Sequence, residues 1–179
     1  APHAIITASR QLELYDYELR FRPVDAGIFT LEELEPARGD AKETCKRVKD
    51  AVTQIIEHKK TPITLGGDHS VAIGAIQAAA RSFKDLSVVS FDAHLDCWDY
   101  FEGSSHSHAG VSCRVADIGR AVAGEKVNEI IFGARVAGKD ELEFCEKNKI
   151  EVVWAKEMRN TQRAARKMIP KLKKNVYVT

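Results

Sequence analysis

Two short segments, Gly66-Gly67-Asp68-His69-Ser70 and Ser90-Phe91-Asp92-Ala93-His94-Leu95-Asp96, place two histidines and three carboxylates at the ends of apolar, strand-like runs. In the second, Asp92, His94 and Asp96 recur at period two, so an extended backbone turns all three side chains to one side. Carboxylate oxygen with imidazole nitrogen, and no thiolate at ligand spacing, favours Mn2+, with Co2+, Ni2+ or Zn2+ as substitutes. The chemistry served by half of such a binuclear site is activation of water. Each motif also has a plainer reading. G-G-D-H-S can be a tight strand-to-helix turn capped by Asp68 or Ser70, and D-A-H-x-D a capped strand end. Two motifs of this kind on successive strand ends favour the metal.

The elements that must position these residues follow from hydrophobic rhythm. From residue 61 onward, short β-branched runs alternate with helical segments, the mark of βα units feeding a parallel sheet. Strands are expected at Pro62–Leu65, Leu86–Phe91, Glu129–Gly133, Ile150–Trp154 and Asn175–Thr179. Helices are expected at Val71–Phe83, Lys139–Lys147 and about Thr161–Leu172. Upstream, Cys45, Val48, Val52, Ile55 and Ile56 lie at helical spacing within Ala41–Lys59, while residues 23–40 read as a strand followed by a loop. The fold class is therefore α/β, with three α-β-α layers around a mainly parallel sheet. In such sheets ligands bind outside the carboxyl ends of the strands, where both motifs fall.

Bulk properties narrow the partners. The 179 residues are 44% hydrophobic with a formal charge of +1, which suits a single domain spanning residues 1–179 with a substantial core. Without a clustered basic run there is no nucleic-acid footprint, so a metabolite is the expected ligand. No apolar stretch approaches the roughly 20 residues of a membrane span, and no signal-peptide pattern opens the chain, so a cytoplasmic location is expected. Cys45, Cys97, Cys113 and Cys145 are widely spaced and read as free, buried or half-buried thiols rather than a zinc or disulfide framework. His3 and His58 read as surface residues.

The pair G-G-D-H-S and F-D-A-H-x-D resembles the ureohydrolases, the arginase and agmatinase family. The likeness extends to the segment from Ala1 to Tyr15, similar to an early helix of the family, and to Ile131-Phe132-Gly133-Ala134-Arg135, similar to a strand ending in glycine and arginine. The loop from Asp96 to Gly103 looks most like archaeal-type agmatinases. The resemblance implies that His69 and Asp96 bind a first Mn2+, that Asp92 bridges two, and that His94 binds the second. It implies hydroxide attack on a guanidinium carbon, with Asp96 passing a proton to the departing amine. His108, in His106-Ser107-His108, best matches a family histidine that shuttles protons or contacts substrate. His106 is its competitor, and a solvated loop is the plainer reading of both. Asp68 can hydrogen-bond behind a ligand or cap the following helix.

Where family arginases use a polar residue to hold the substrate's α-carboxylate, this sequence has Trp98. The expected reaction is thus agmatine to putrescine and urea. Arginase, guanidinobutyrase or formiminoglutamase activity, or a non-catalytic metal-binding role, are the alternatives. Asp99 and Glu102 are weak candidates for attracting the cationic substrate. The resemblance also implies a homo-oligomer, trimer or hexamer. A third family motif, D-x-D-x-x-D-P, is absent from the sequence, and Asn175–Thr179 resembles the strand leading into it. The chain is therefore expected to be an internal fragment, incomplete at both ends, with exposed sheet edges, partial metal binding and little turnover alone.

Overall fold

A computed structural model describes residues 2–121 and 127–179. Ala1, where the family likeness begins, lies outside the described residues. The elements run α1 (Pro2–Ser9), α2 (Ala41–Glu57), α3 (Val71–Ser82), β1 (Leu86–Phe91), α4 (Val111–Ala121), β2 (Asn128–Ala134), α5 (Lys139–Asn148), β3 (Glu151–Trp154), α6 (Thr161–Met168) and β4 (Asn175–Val178). The four strands form one parallel sheet in the order β3-β2-β1-β4.

Strand alternation divides the sheet into two faces. Leu86 and Val88 of β1 pack with Ile73 and Ile76 of α3 and Val111 and Val115 of α4. Ile131 of β2 joins Leu95, Cys113 of α4 and Cys145 of α5 on that face. Ile130 and Val153 point the other way and are covered by Ala164 and Met168 of α6. Helices on both faces of a parallel sheet make the three-layer α/β fold expected from the sequence. The four cysteines are free and buried.

Helix α2 begins where the Asp40 carboxylate accepts a hydrogen bond from the Glu43 amide at 2.9 Å, supplying one of the unsatisfied donors of a first turn. It buries Cys45, Val48 and Val52. The Ala-rich α3 presents no bulk at Gly74, which lets the α2 backbone approach: a Cβ there would lie 2.1 Å from the Cys45 carbonyl oxygen.

Several expectations are corrected. Pro62–Leu65 is extended but forms no strand. No described strand lies beside it to accept its hydrogen bonds, and Ile63 is 79% exposed. Residues 23–40 contain a 3-10 turn at Pro23–Ala26 and no strand. The last helix stops at Met168, because Pro170 cannot donate to continue it and a 3-10 turn, Ile169–Lys171, follows. Helix α4 carries no expectation from the sequence reading, although Val111, Val115 and Ile118 are buried at helical spacing. The N-terminal segment leaves Leu12, Tyr17, Leu19 and Phe29 exposed, and β4 leaves Val176 and Val178 exposed.

Substituting Gly74→Ala sets two effects against each other. Helix propensity gains about 1 kcal/mol, whereas wedging a methyl against the Cys45 carbonyl costs about 1–3 kcal/mol and parts the helices. The expected net result is a lower urea midpoint at unchanged slope. A raised midpoint would show that α2 and α3 do not meet at Gly74.

Candidate metal centre

The ladder between β1 and β2 continues past the end of β1. The Asp92 amide donates to the Phe132 carbonyl at 3.0 Å, and the Arg135 amide donates to the Ala93 carbonyl at 2.9 Å. Between these bonds Gly133 adopts φ +97°, a left-handed conformation natural only to glycine. Even an unstrained Cβ there would press on the Asp92 carbonyl oxygen at 3.3 Å. The strand itself ends at Phe91, and the D-A-H-x-D segment bends, with Asp96 left-handed at φ +50°. The extended, one-sided arrangement expected from the spacing is therefore not what the backbone adopts.

The bend nonetheless brings two of its three polar side chains to His69, which sits in the turn before α3. His69 Nδ1 lies 2.7 Å from Asp96 Oδ2 and 3.4 Å from Asp92 Oδ2, and ligand atoms of the three residues lie within 4.8 Å of one another. Their side chains are 18, 12 and 25% exposed for His69, Asp96 and Asp92 respectively. His94 is left outside this cluster. Its side chain is 65% exposed, and its ring Nδ1 contacts Asp92 Oδ1 at 3.2 Å, because the chain turns away before it. The other candidates lie apart from the three. His108 is exposed and meets the Phe101 ring edge-on at 5.6 Å, and Trp98 is 52% exposed with its edge toward the same ring at 6.1 Å. His106 is half-buried in a hollow lined by Asp40, Lys42, Cys45, Lys49 and Gln77. Asp68 accepts from the Ser70 amide at 2.9 Å and from the Ser70 hydroxyl, which is the turn-capping role. Asp99 is paired with Arg114, so its charge is already answered.

Electrostatics single out the same place. Burial opposes charge on His69, but the Asp96 hydrogen bond and the charges of Asp96, Asp92 and Glu129 outweigh it and hold the imidazole above its ordinary range. Contact with Cys145, whose sulfur is 3.6 Å away, and burial both push the Cys97 thiol up, so the cysteine after Asp96 stays neutral and offers no thiolate. One imidazole with two carboxylates is a donor set suited to a divalent cation such as Mn2+.

Sequence reasoning missed Glu129 beyond its place at the head of a strand. On β2 it is 3% exposed, on the face that meets α4. Its Oε1 lies 2.9 Å from the Ser112 hydroxyl, and its Oε2 has no hydrogen-bond partner among the described residues. Burial pushes this carboxyl up to about 7, against the Ser112 hydrogen bond and the His69 charge. The signal in the sequence is an acidic residue opening an otherwise apolar strand whose neighbour ends in the metal motif.

The folded-state value of Glu129 is raised, so its stabilising neutral form is fully populated below the unfolded value of about 4.5 and is lost as pH rises through about 7. With metal removed by a chelator, the chain is expected to lose on the order of 3 kcal/mol from this source across that interval. His69, also raised, acts in the same direction. Glu129→Gln is expected to remove the Glu129 share and flatten the profile of urea midpoint against pH, and parallel profiles would contradict the buried-acid account.

The profile of the arginase family matches residues 1–179. The chain is 34% identical over 165 residues to an N(1)-aminopropylagmatine ureohydrolase of Synechocystis sp., covering 88% of this chain and 51% of that protein. It is 34% identical over 162 residues to an agmatinase of Pyrococcus horikoshii, covering 87 and 52%. It thus spans about half the length of these curated relatives. The agmatine ureohydrolase of Thermoplasma volcanium superposes with a TM-score of 0.83 at 26% identity, over 99% of this chain and 58% of that one. Formimidoylglutamase of Bacillus subtilis shares the fold at a TM-score of 0.86 and 18% identity, over 99 and 57% of the two chains. A parallel α/β sheet whose β1 end gathers His69, Asp92 and Asp96, together with a family profile that matches residues 1–179, leads to one assignment: this chain belongs to the arginase family.

Proposed function

We propose that the protein carrying this chain is a Mn2+-dependent ureohydrolase acting on a guanidino amine, agmatine or its N(1)-aminopropyl derivative, to release urea. The observation that carries the reading is the His69–Asp92–Asp96 donor set beyond β1 in an arginase-family chain. The agmatinase and aminopropylagmatine ureohydrolase names of its relatives support it. Residues 1–179 form one ureohydrolase-like unit in this reading, and its free, buried thiols accord with a reducing cytoplasm.

In this proposal His69, Asp92 and Asp96 would hold the metal, with His94, whose ring contacts the Asp92 carboxylate, as the further ligand for a second cation. When bound, the cations acidify water at neutral pH and offset charge developing around the guanidinium carbon. The chain's own groups do the rest. Asp96, already in a hydrogen bond with His69, is placed to carry a proton toward the leaving amine. His108 is the candidate for exchanging that proton with solvent or touching the substrate.

Trp98 decides the substrate class. It stands where family arginases place a small polar residue against the α-carboxylate, and its single indole N–H on a bulky ring does not reproduce that contact, so an amine lacking that carboxylate is favoured over arginine. With Asp99 engaged by Arg114, the exposed Glu102 is the remaining acidic group of that loop available to a cationic tail. The working protein is proposed as a homo-oligomer, and residues 1–179 alone are expected to bind Mn2+ weakly and release little urea.

The test is urea release by the full-length protein in Mn2+, with agmatine, N(1)-aminopropylagmatine and arginine offered side by side. Activity on either of the first two well above arginine is expected, and His69→Asn or Asp92→Asn should lower it on the order of 100-fold or more. Preference for arginine would overturn the Trp98 argument alone. No urea from any guanidino substrate, with metal bound, would favour the non-catalytic reading.

A further inference from the structure

Asp96 owes its position to a turn that its own residue type does not enforce. Its left-handed backbone, φ +50°, is accessible to aspartate but disfavoured relative to the right-handed region. Hydrogen bonds surround it. The Ser112 amide donates to the Asp96 carbonyl at 3.0 Å, and the Ser112 hydroxyl donates to the Leu95 carbonyl at 2.7 Å. On the far side the Cys97 amide donates to Glu141 Oε1 at 3.3 Å. Ser112 therefore grips the peptide groups on both sides of Asp96 from the first turn of α4.

The Ser112 hydroxyl is itself held, since Glu129 Oε1 lies 2.9 Å from it. Both residues are 3% exposed, so water cannot substitute for either. A carboxyl buried between β2 and α4, with its second oxygen lacking a partner among the described residues, is a costly way to fill space. Transfer without full hydrogen bonding costs several kcal/mol, and an apolar side chain on that face would pack for less. Core stability alone does not explain its presence. The contact with Ser112 does, because it ties the turn carrying Asp96 to β2, an inner strand of the sheet.

We propose that Ser112 and Glu129 are positioning residues of the metal centre: Glu129 on β2 orients the Ser112 hydroxyl, and Ser112 on α4 fixes the Leu95–Asp96 turn so that Asp96 faces His69. This rests on the metal-centre reading above. Neither residue belongs to the His69–Asp92–Asp96 donor cluster, and both act through the geometry of Asp96. Outer partners of metal ligands tune affinity by about 10–100-fold, which sets the size of the effect.

The experiment measures Mn2+ affinity of the full-length protein by titration, with free Mn2+ read by electron paramagnetic resonance, and separately the thermal midpoint in chelator. Ser112→Ala is expected to weaken Mn2+ binding about tenfold, while Ser112→Thr, which keeps the hydroxyl, restores most of it. Glu129→Gln keeps a polar group within reach of Ser112 and should stay within about threefold of wild type, whereas Glu129→Leu should fall with Ser112→Ala. Ser112→Ala with a lowered midpoint but unchanged Mn2+ affinity would overturn the proposal in favour of a purely structural role. Loss in Glu129→Gln equal to that in Glu129→Leu would overturn it in favour of carboxylate charge. Because Glu129→Leu can fail to fold, the two Ser112 variants and Glu129→Gln decide the question without it. Wild-type protein that binds no Mn2+ would overturn the metal-centre reading itself, a result distinct from any pattern among the variants.

Discussion

The candidate site depends on the coupling of β1 to β2 beyond the last residue of the β1 strand. Were the ladder to stop at Phe91, the D-A-H-x-D segment would be a free loop with carboxylates in many positions. Two further backbone bonds, Asp92 to Phe132 and Arg135 to Ala93, fasten its first half to the neighbouring strand. The left-handed Gly133 makes room for that approach. Fixing a residue's backbone costs about 1–2 kcal/mol of conformational entropy, and here the sheet, already ordered by its own core, bears that cost before any cation arrives. This is preorganisation at the level of the fold.

What the sheet holds together is electrostatically unfavourable by itself. Burial opposes charge on His69, but Asp96, Asp92 and the buried Glu129 outweigh it and hold the imidazole charged to a higher pH, while burial pushes the Glu129 carboxyl toward its neutral form. A cation and a proton compete for His69, since only the neutral imidazole donates an electron pair. The raised proton affinity of His69 thus comes from the same carboxylates that would favour a divalent ion. It also makes this edge of the sheet less stable than an apolar one of equal size, as functional sites commonly are.

Much of this was legible in the sequence. The strands at β1, β2, β3 and β4 and the helices α2, α3 and α5 fall within a residue or two of their expected limits, because each carries its own periodicity and breakers. His69, Asp92 and Asp96 meet as their motifs suggest. The strand and backbone expectations that fail share a different character, and neither bears on the proposal that His94 is a ligand. Pro62–Leu65 has strand chemistry, yet a strand exists only beside a partner, and its partner is a property of the whole sheet. His94 has the spacing of a ligand, yet the period-two argument assumes an extended backbone that the chain abandons after Phe91.

Glu129 and Ser112 show the same limit from the other side. Nothing local distinguishes a glutamate at the head of a strand, which is ordinarily solvated, or a serine in the first turn of a helix. They meet because β2 lies next to β1 and α4 packs across both, so residues 17 positions apart in sequence come within 2.9 Å. Composition, periodicity and motif describe what a segment can do by itself. The arrangement that turns Asp96 toward His69 is long-range, and its evidence is a pair of buried polar groups that no local rule would place there.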